Sequence, residues 1–234
     1  MTRVRSNTIR RSTMAKAPKV SIIMTAYNPT HYLVEMTMAA LANITRYTDT
    51  DLYELILMDC APKHNIRDDY GVLKIDLHVK LNTDPGYYAA MNEGAKLANG
   101  DYLCFIENDM FVYENWLTDL CYYLDNNLLD AVIPDQFPRS RDRIKEYQNM
   151  THEEALNAAG TEQGLVLIRK ESFKKIGGWK KKGAEMGWRR FYANLADNGV
   201  SLGNTAKVII THICGATYFY KLENESEKLS KTGE

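Results

Sequence analysis

Apolar, β-rich runs alternate with segments of helical period along this chain, and no other feature of the sequence narrows its fold so far. "KVSIIMTA" (19–26) is a continuous apolar run that breaks at Tyr27, Asn28 and Pro29, as a strand buried on both faces would end. Residues 31–46 carry Leu33, Met36, Ala40, Leu41 and Ile44, a stripe at helical spacing. "YELILMD" (53–59) and "KIDLHVKL" (74–81) predict two more strands. After Pro85 and Gly86 a helix of small residues is expected over 87–98, with Asn99-Gly100 as its stop. "DYLCFI" (101–106) is a fourth strand. Such repetition predicts an α/β domain whose sheet is mainly parallel and flanked by helices.

The pattern continues beyond. Trp116, Leu117, Leu120, Cys121 and Leu124 mark a helix, and "LLDAVIPD" (128–135) a strand. Thr151 followed by Glu154 is a capping-box signal for a short helix over 152–159, ended by Gly160. "GLVLIRK" (164–170) and "AKVIITHI" (206–213) read as strands on either side of a helix over 185–198, whose apolar face is Trp188, Phe191, Tyr192 and Leu195. The polar, Arg-rich stretch 135–150 reads as a loop or lid. With 234 residues, 45% of them hydrophobic, one core is sufficient and a single domain over 18–220 is expected. Residues 1–17 hold five Lys or Arg and no acid and read as a flexible basic tail, with Met14 as an alternative start. Residues 221–234 read as a polar tail.

The placement of three acidic or aromatic clusters is more informative than any one of them. Tyr27-Asn28, Asp59 and Glu107-Asn108-Asp109 each follow a predicted strand, and in parallel sheets ligands bind beyond the carboxyl ends of the strands. Two carboxylates one residue apart on a turn can direct hard oxygen ligands at one divalent cation, Mn²⁺ or Mg²⁺. The rest of the composition is mainly exclusionary. With 29 basic against 30 acidic residues, no global field argues for nucleic acid. No apolar run reaches the roughly 18 residues of a membrane span. Cys60, Cys104, Cys121 and Cys214 form no CxxC pair and read as reduced thiols of a cytoplasmic protein.

In order and spacing, "VSIIMTAYN", "ELILMD", "NTDPGYYAAMNEGAKLANGDYLCFIENDM", "ENWLTDL", "GLVLIRKESFKKIGGW" and "VIITHICG" resemble the family 2 glycosyltransferases, from about Lys19 to Gly215. The resemblance implies the GT-A fold, a Rossmann-like mixed and mainly parallel sheet, and an inverting transfer from a nucleotide-diphosphate sugar, a UDP-sugar foremost and GDP- or dTDP-sugars as alternatives. By the same resemblance Thr25, Ala26 and Tyr27 face the base, on which an aromatic ring can stack. Asp59 would bond the base or ribose. Asn82, Gly86 and Asn92 match the donor-side N-x-G…N-x-G pattern, and Met91 departs from it where an arginine is common. Asp109 stands as the direct metal ligand, Glu107 as a second ligand or ribose contact, and His212 as the histidine that completes the metal and diphosphate site.

Inversion requires a general base across from the leaving group. The resemblance assigns it to Glu185 in "GAEMGWRRF", with Met186 where an aspartate usually follows; Glu162 and Asp135 are rivals. Trp188 could floor an acceptor site or lie in the core, and Arg189 and Arg190 could meet phosphate or simply be solvated. The acceptor is expected to be a glycan or small molecule. DNA is an alternative that would use the basic tail and the arginines of 139–145, and a non-catalytic nucleotide-sugar-binding protein is another. A nucleotidyltransferase lacks its usual glycine-rich loop here, since "TAYNPTHY" occupies that place. The oligomeric state is open.

Overall fold

Every residue of β1 (Val20–Ala26) is buried, which a strand achieves only when helices cover both faces of its sheet. The computed structural model of the protein describes residues 18–60, 62–66, 72–137, 144–158, 164–180 and 187–213. After β1 come α1 (His31–Tyr47), β2 (Tyr53–Cys60), β3 (Leu77–Leu81), α2 (Tyr87–Leu97), β4 (Tyr102–Glu107) and β5 (Met110–Phe111). Then follow α3 (Trp116–Asp125), β6 (Ala131–Phe137), α4 (Ile144–Asn149), α5 (His152–Ala155), β7 (Leu165–Arg169), α6 (Lys170–Lys175), α7 (Trp188–Asp197) and β8 (Leu202–His212). The strands form one sheet in the order β3-β2-β1-β4-β7-β6-β8-β5. β3, β2, β1 and β4 are mutually parallel, as are β6 and β8, while β7 and β5 run antiparallel to their partners. This is the mixed, mainly parallel sheet the sequence predicts.

Alternation along each strand divides the core in two. Ile22 and Met24 of β1 and Cys104 and Ile106 of β4 pack with Ala40, Leu41 and Ile44 of α1 and with α3. Ile23, Leu103 and Phe105 face the other way, toward α2, α6 and α7. Each fully buried aliphatic side chain contributes about 1.5–3 kcal/mol relative to an exposed one. α1 starts where Thr30 accepts the Leu33 N–H at 3.3 Å.

Several boundaries differ from the sequence reading, for local reasons. β3 starts at Leu77 rather than Lys74, because the Asp76 carboxylate accepts the Leu55 N–H at 2.8 Å and Lys74 turns its ammonium onto Asp76. α5 is a single turn: its capping box is present, but Leu156 swings extended and bridges to Thr205. The stretch 135–150 is not all loop. β6 continues past a bulge at Pro134/Asp135 to Phe137, and α4 lies within 144–149. β8 begins at Leu202, four residues earlier than its apolar run, with Gly203 pressed against Leu129. Gly100 is a close-approach residue rather than a left-handed cap, since a Cβ there would lie 2.6 Å from Ser21 N. Among the described residues Cys60, Cys104 and Cys121 are buried and form no disulfide, Cys214 lies outside them, and no helix is long and apolar enough to cross a membrane.

Candidate active site

The strands carrying the predicted residues finish level with one another. Thr25 lies opposite Glu107 across β1 and β4, and Ala26 opposite Asp59 across β1 and β2. At the end of β4 the chain turns through Asn108 and Asp109 into β5, whose Met110 and Phe111 pair with His212 and Thr211. The Ile213 N–H donates to Asp109 O at 3.1 Å. Backbone pairing alone therefore brings Asp109, after the fourth strand, beside His212, at the end of the eighth.

The side chains converge accordingly. His212 Nε2 is 3.1 Å from Glu107 Oε2 and 3.2 Å from Asp109 Oδ1, and one ligating atom from each of the three lies within 4.8 Å of the others. His212 Nε2 is buried. A nitrogen 3.1 and 3.2 Å from two carboxylate oxygens is compatible with adjacent positions around an octahedral cation with bonds of roughly 2.1 Å. The donor set suits Mn²⁺ or Mg²⁺, so these residues fit the metal the sequence implies. Burial would depress the His212 pKa, but the Asp109 and Glu107 carboxylates outweigh it and raise it to about 10; the pair of carboxylates demands a positive charge.

Further contacts steady this cluster. Trp188, at the start of α7, donates its indole N–H to Glu107 Oε1 at 3.0 Å. The Gln136 amide sits 3.0 Å from His212 Nδ1. Glu107 N–H donates to Gly164 O at 3.0 Å, and Gly164 has φ +109°, with space for a Cβ denied by Met110. The Tyr87 hydroxyl is buried and has no hydrogen-bond partner among the described residues. Burial, with Glu107, Tyr88 and Asp109 adding to it, pushes its pKa far up. Burial and Glu107 likewise raise Tyr88 to about 12. Sequence reasoning passed over Asn108, Gln136, Gly164, Tyr87 and Tyr88; for Tyr87 and Tyr88 the signal was their position directly after Gly86.

The other predicted residues divide into groups. Thr25 and Ala26 are buried at the end of β1, and Tyr27 is half-buried against the second core. Asp59 is wholly buried: the Asn28 amide reaches it at 3.5 Å and His78 Nε2 at 3.0 Å, with the His78 side chain 25% exposed above it. Asn82 is exposed. Gly86 caps α2 with φ +87°, a conformation that favours glycine. Asn92 commits its amide to the Trp179 peptide, donating to its O at 2.8 Å and accepting its N–H at 2.9 Å, so it holds the turn after α6 against α2. Met91 is core. Trp188 is also core, 4% exposed, with its polar edge on Glu107. Arg189 is exposed and Arg190 half-buried. Asp135 is buried beside Gln136, whose N–H it accepts at 2.8 Å. Glu185, Met186 and Glu162 lie outside the described residues.

Comparison with known proteins gives the family and the fold. The family model "Glycosyl transferase family 2" matches residues 21–185. An uncharacterized glycosyltransferase, EpsJ, of Bacillus subtilis is 28% identical over 128 residues, 54% of this chain and 36% of its own. A PGL/p-HBAD biosynthesis glycosyltransferase of Mycobacterium bovis is 35% identical over 102 residues, 42% of this chain and 38% of its own. The matched stretches thus span less than half of these relatives. Among solved structures, the mannosyltransferase PcManGT of Pyrobaculum calidifontis, in complex with GDP-Man and Mn²⁺, superposes with a TM-score of 0.65 at 17% identity, over 84% of this chain and 57% of its own. GalNAc-T7 with UDP, GalNAc and Mn²⁺ gives 0.63 at 14%, over 84% and 43%. These two share the fold, which is GT-A. With its family model matched over most of its length, the chain belongs to glycosyl transferase family 2.

Proposed function

We propose that this chain is an inverting, metal-dependent glycosyltransferase that moves a sugar from a nucleotide-diphosphate sugar to a hydroxyl of a glycan or small molecule. The observation that carries the reading is the convergence of Glu107, Asp109 and His212 at the carboxyl ends of β4 and β8. Mn²⁺ or Mg²⁺ is the ion, held by Asp109 and His212 with Glu107 as third ligand or ribose contact; when bound, it offsets charge on the departing diphosphate. Tyr27 stacks on the base above Thr25 and Ala26, and Asp59 acts at the base or ribose with His78 as its covering partner. Gly86 lets the backbone approach the donor, with Asn82 before that turn and Asn92 acting from within α2, through the Trp179 turn that it holds. Glu185, three residues before the tethered Trp188, takes the acceptor proton. A UDP-sugar is the first donor to test, then GDP- and dTDP-sugars; PcManGT was solved with GDP-Man and GalNAc-T7 with UDP.

The test is a donor panel with and without Mn²⁺, followed by NMR of the product anomer. The reading requires metal-dependent transfer with inverted anomeric configuration, loss of turnover in Asp109→Asn, and a rate lower by about 10²-fold in Glu185→Gln at unchanged donor affinity. Full activity in EDTA, or a retained anomer, would overturn it. An unchanged rate in Glu185→Gln would shift the base to Asp135 or Glu162.

A further inference from the structure

The turn that carries the two carboxylates has a third side chain, and it points the other way. Asn108 lies in the turn between Glu107, the last residue of β4, and Asp109. Asn108 is 8% exposed, and its Nδ2 donates to Thr37 Oγ1 at 2.8 Å. Thr37 is wholly buried in the middle of α1. Its single hydroxyl proton faces Leu33 O at 2.9 Å and Asn28 Oδ1 at 3.0 Å. A helical threonine commonly returns its proton to the carbonyl four residues back, which leaves the oxygen lone pairs free to receive Asn108. Asn28 Oδ1 is the alternative acceptor for that proton, and the Asn28 amide reaches Asp59 at 3.5 Å, the limit of a hydrogen bond.

The same helix grips the far side of the turn. Asn43 of α1 exchanges two hydrogen bonds with the Val112 backbone, accepting its N–H at 2.7 Å and donating to its O at 3.1 Å. The carboxylate turn is thus fastened to α1 on both sides, by Thr37 before β5 and by Asn43 after it. If Asn108 were released, the turn could rotate about its own axis and carry Glu107 and Asp109 away from His212.

We infer that Thr37 is a positioning residue for the metal site, its hydroxyl acting through Asn108 to aim the Glu107 and Asp109 carboxylates at one point. This rests on the metal reading above, and groups that orient metal ligands are typically worth about 10–100-fold in affinity.

The test is a Mn²⁺ titration of the full chain, without donor or acceptor, followed by the EPR signal of free Mn²⁺. Thr37→Val should weaken binding about tenfold, and Thr37→Ser, which keeps the hydroxyl, should restore it. Asn108→Ala should weaken binding similarly, and it decides the matter if Thr37→Val does not fold. Asp109→Asn is the reference: wild-type Mn²⁺ affinity in that variant would remove the metal site and the inference together. Loss in Asp109→Asn with wild-type affinity in Thr37→Val or Asn108→Ala would overturn the positioning role and leave the metal site standing. A serine variant as weak as the valine would also overturn it, since the hydroxyl would then be irrelevant.

Discussion

Trp188 donates its indole N–H to Glu107 Oε1 across 81 residues of sequence, at 3.0 Å, while the other oxygen of Glu107 faces His212. One carboxylate is thereby shared between the aromatic packing of α7 and the candidate metal site. Trp188→Phe keeps a ring against Trp179, its edge-on neighbour at 5.0 Å, but removes the donor. Mn²⁺ affinity should fall by roughly tenfold with a stability loss of only about 1 kcal/mol. Equal metal affinity, measured by EPR or calorimetry, would make Trp188 a packing residue alone.

Gly164 offers a second lever on the same carboxylate. Its carbonyl accepts the Glu107 N–H, its φ is +109°, and an added Cβ would meet Met110 Cε at 1.9 Å and His212 Cε1 at 3.3 Å. Gly164→Ala should therefore cost about 1–3 kcal/mol from backbone strain, and displace Met110, which pairs with His212 across β5 and β8. Thermal unfolding checks the first effect and metal titration the second; an unaltered Tm would show that the backbone adapts without strain.

How much of this could be read from the sequence follows from where each signal lies. β1, β2 and β4 are legible because burial on both faces demands unbroken apolar runs, and α1 because its stripe extends over about three turns. β5 is two residues and α6 six, too short for any period to register. Glu107, Asp109 and His212 were legible from residue type and position at strand ends together with the family pattern. Their supports were not: Thr37 and Asn108 are separated by 71 residues, Gln136 and His212 by 76, and neither glutamine nor threonine announces a site. Gly100 misled for a related reason, as glycine after a helix usually signals a cap, whereas here the constraint is the Ser21 backbone on another strand.

At the opposite end of the sheet, Glu54 gives a pH-dependent test of the fold. It accepts the Ser21 hydroxyl at 2.6 Å, the Asn99 N–H at 2.5 Å and the Asn99 amide at 3.0 Å. Burial would raise its pKa, but the bonds from Ser21 and Asn99 together prevail and hold it below its ordinary value of 4.5. Because the folded pKa is depressed, the stabilisation is present above the unfolded value and lost as pH falls through the folded one. Glu54→Gln should thus lower stability by about 1 kcal/mol near neutral pH, with the difference closing as pH drops below 4.5. A difference constant from pH 7 to pH 3 would rule out the carboxylate charge as its source.

Tyr27 separates nucleotide recognition from packing. It follows β1 directly, is half-buried, and packs against the second core, so a stability loss on truncation is expected whatever its role. The distinguishing measurement is calorimetric binding of UDP and GDP well below the unfolding temperature. A base stacked on an aromatic face is worth about 1–3 kcal/mol, so Tyr27→Ala should weaken nucleotide binding at least severalfold while Tyr27→Phe, which keeps the ring, leaves it intact. If both variants bind as wild type does, the base lies elsewhere along the strand ends. If both lose affinity equally, the hydroxyl carries the contact and stacking does not.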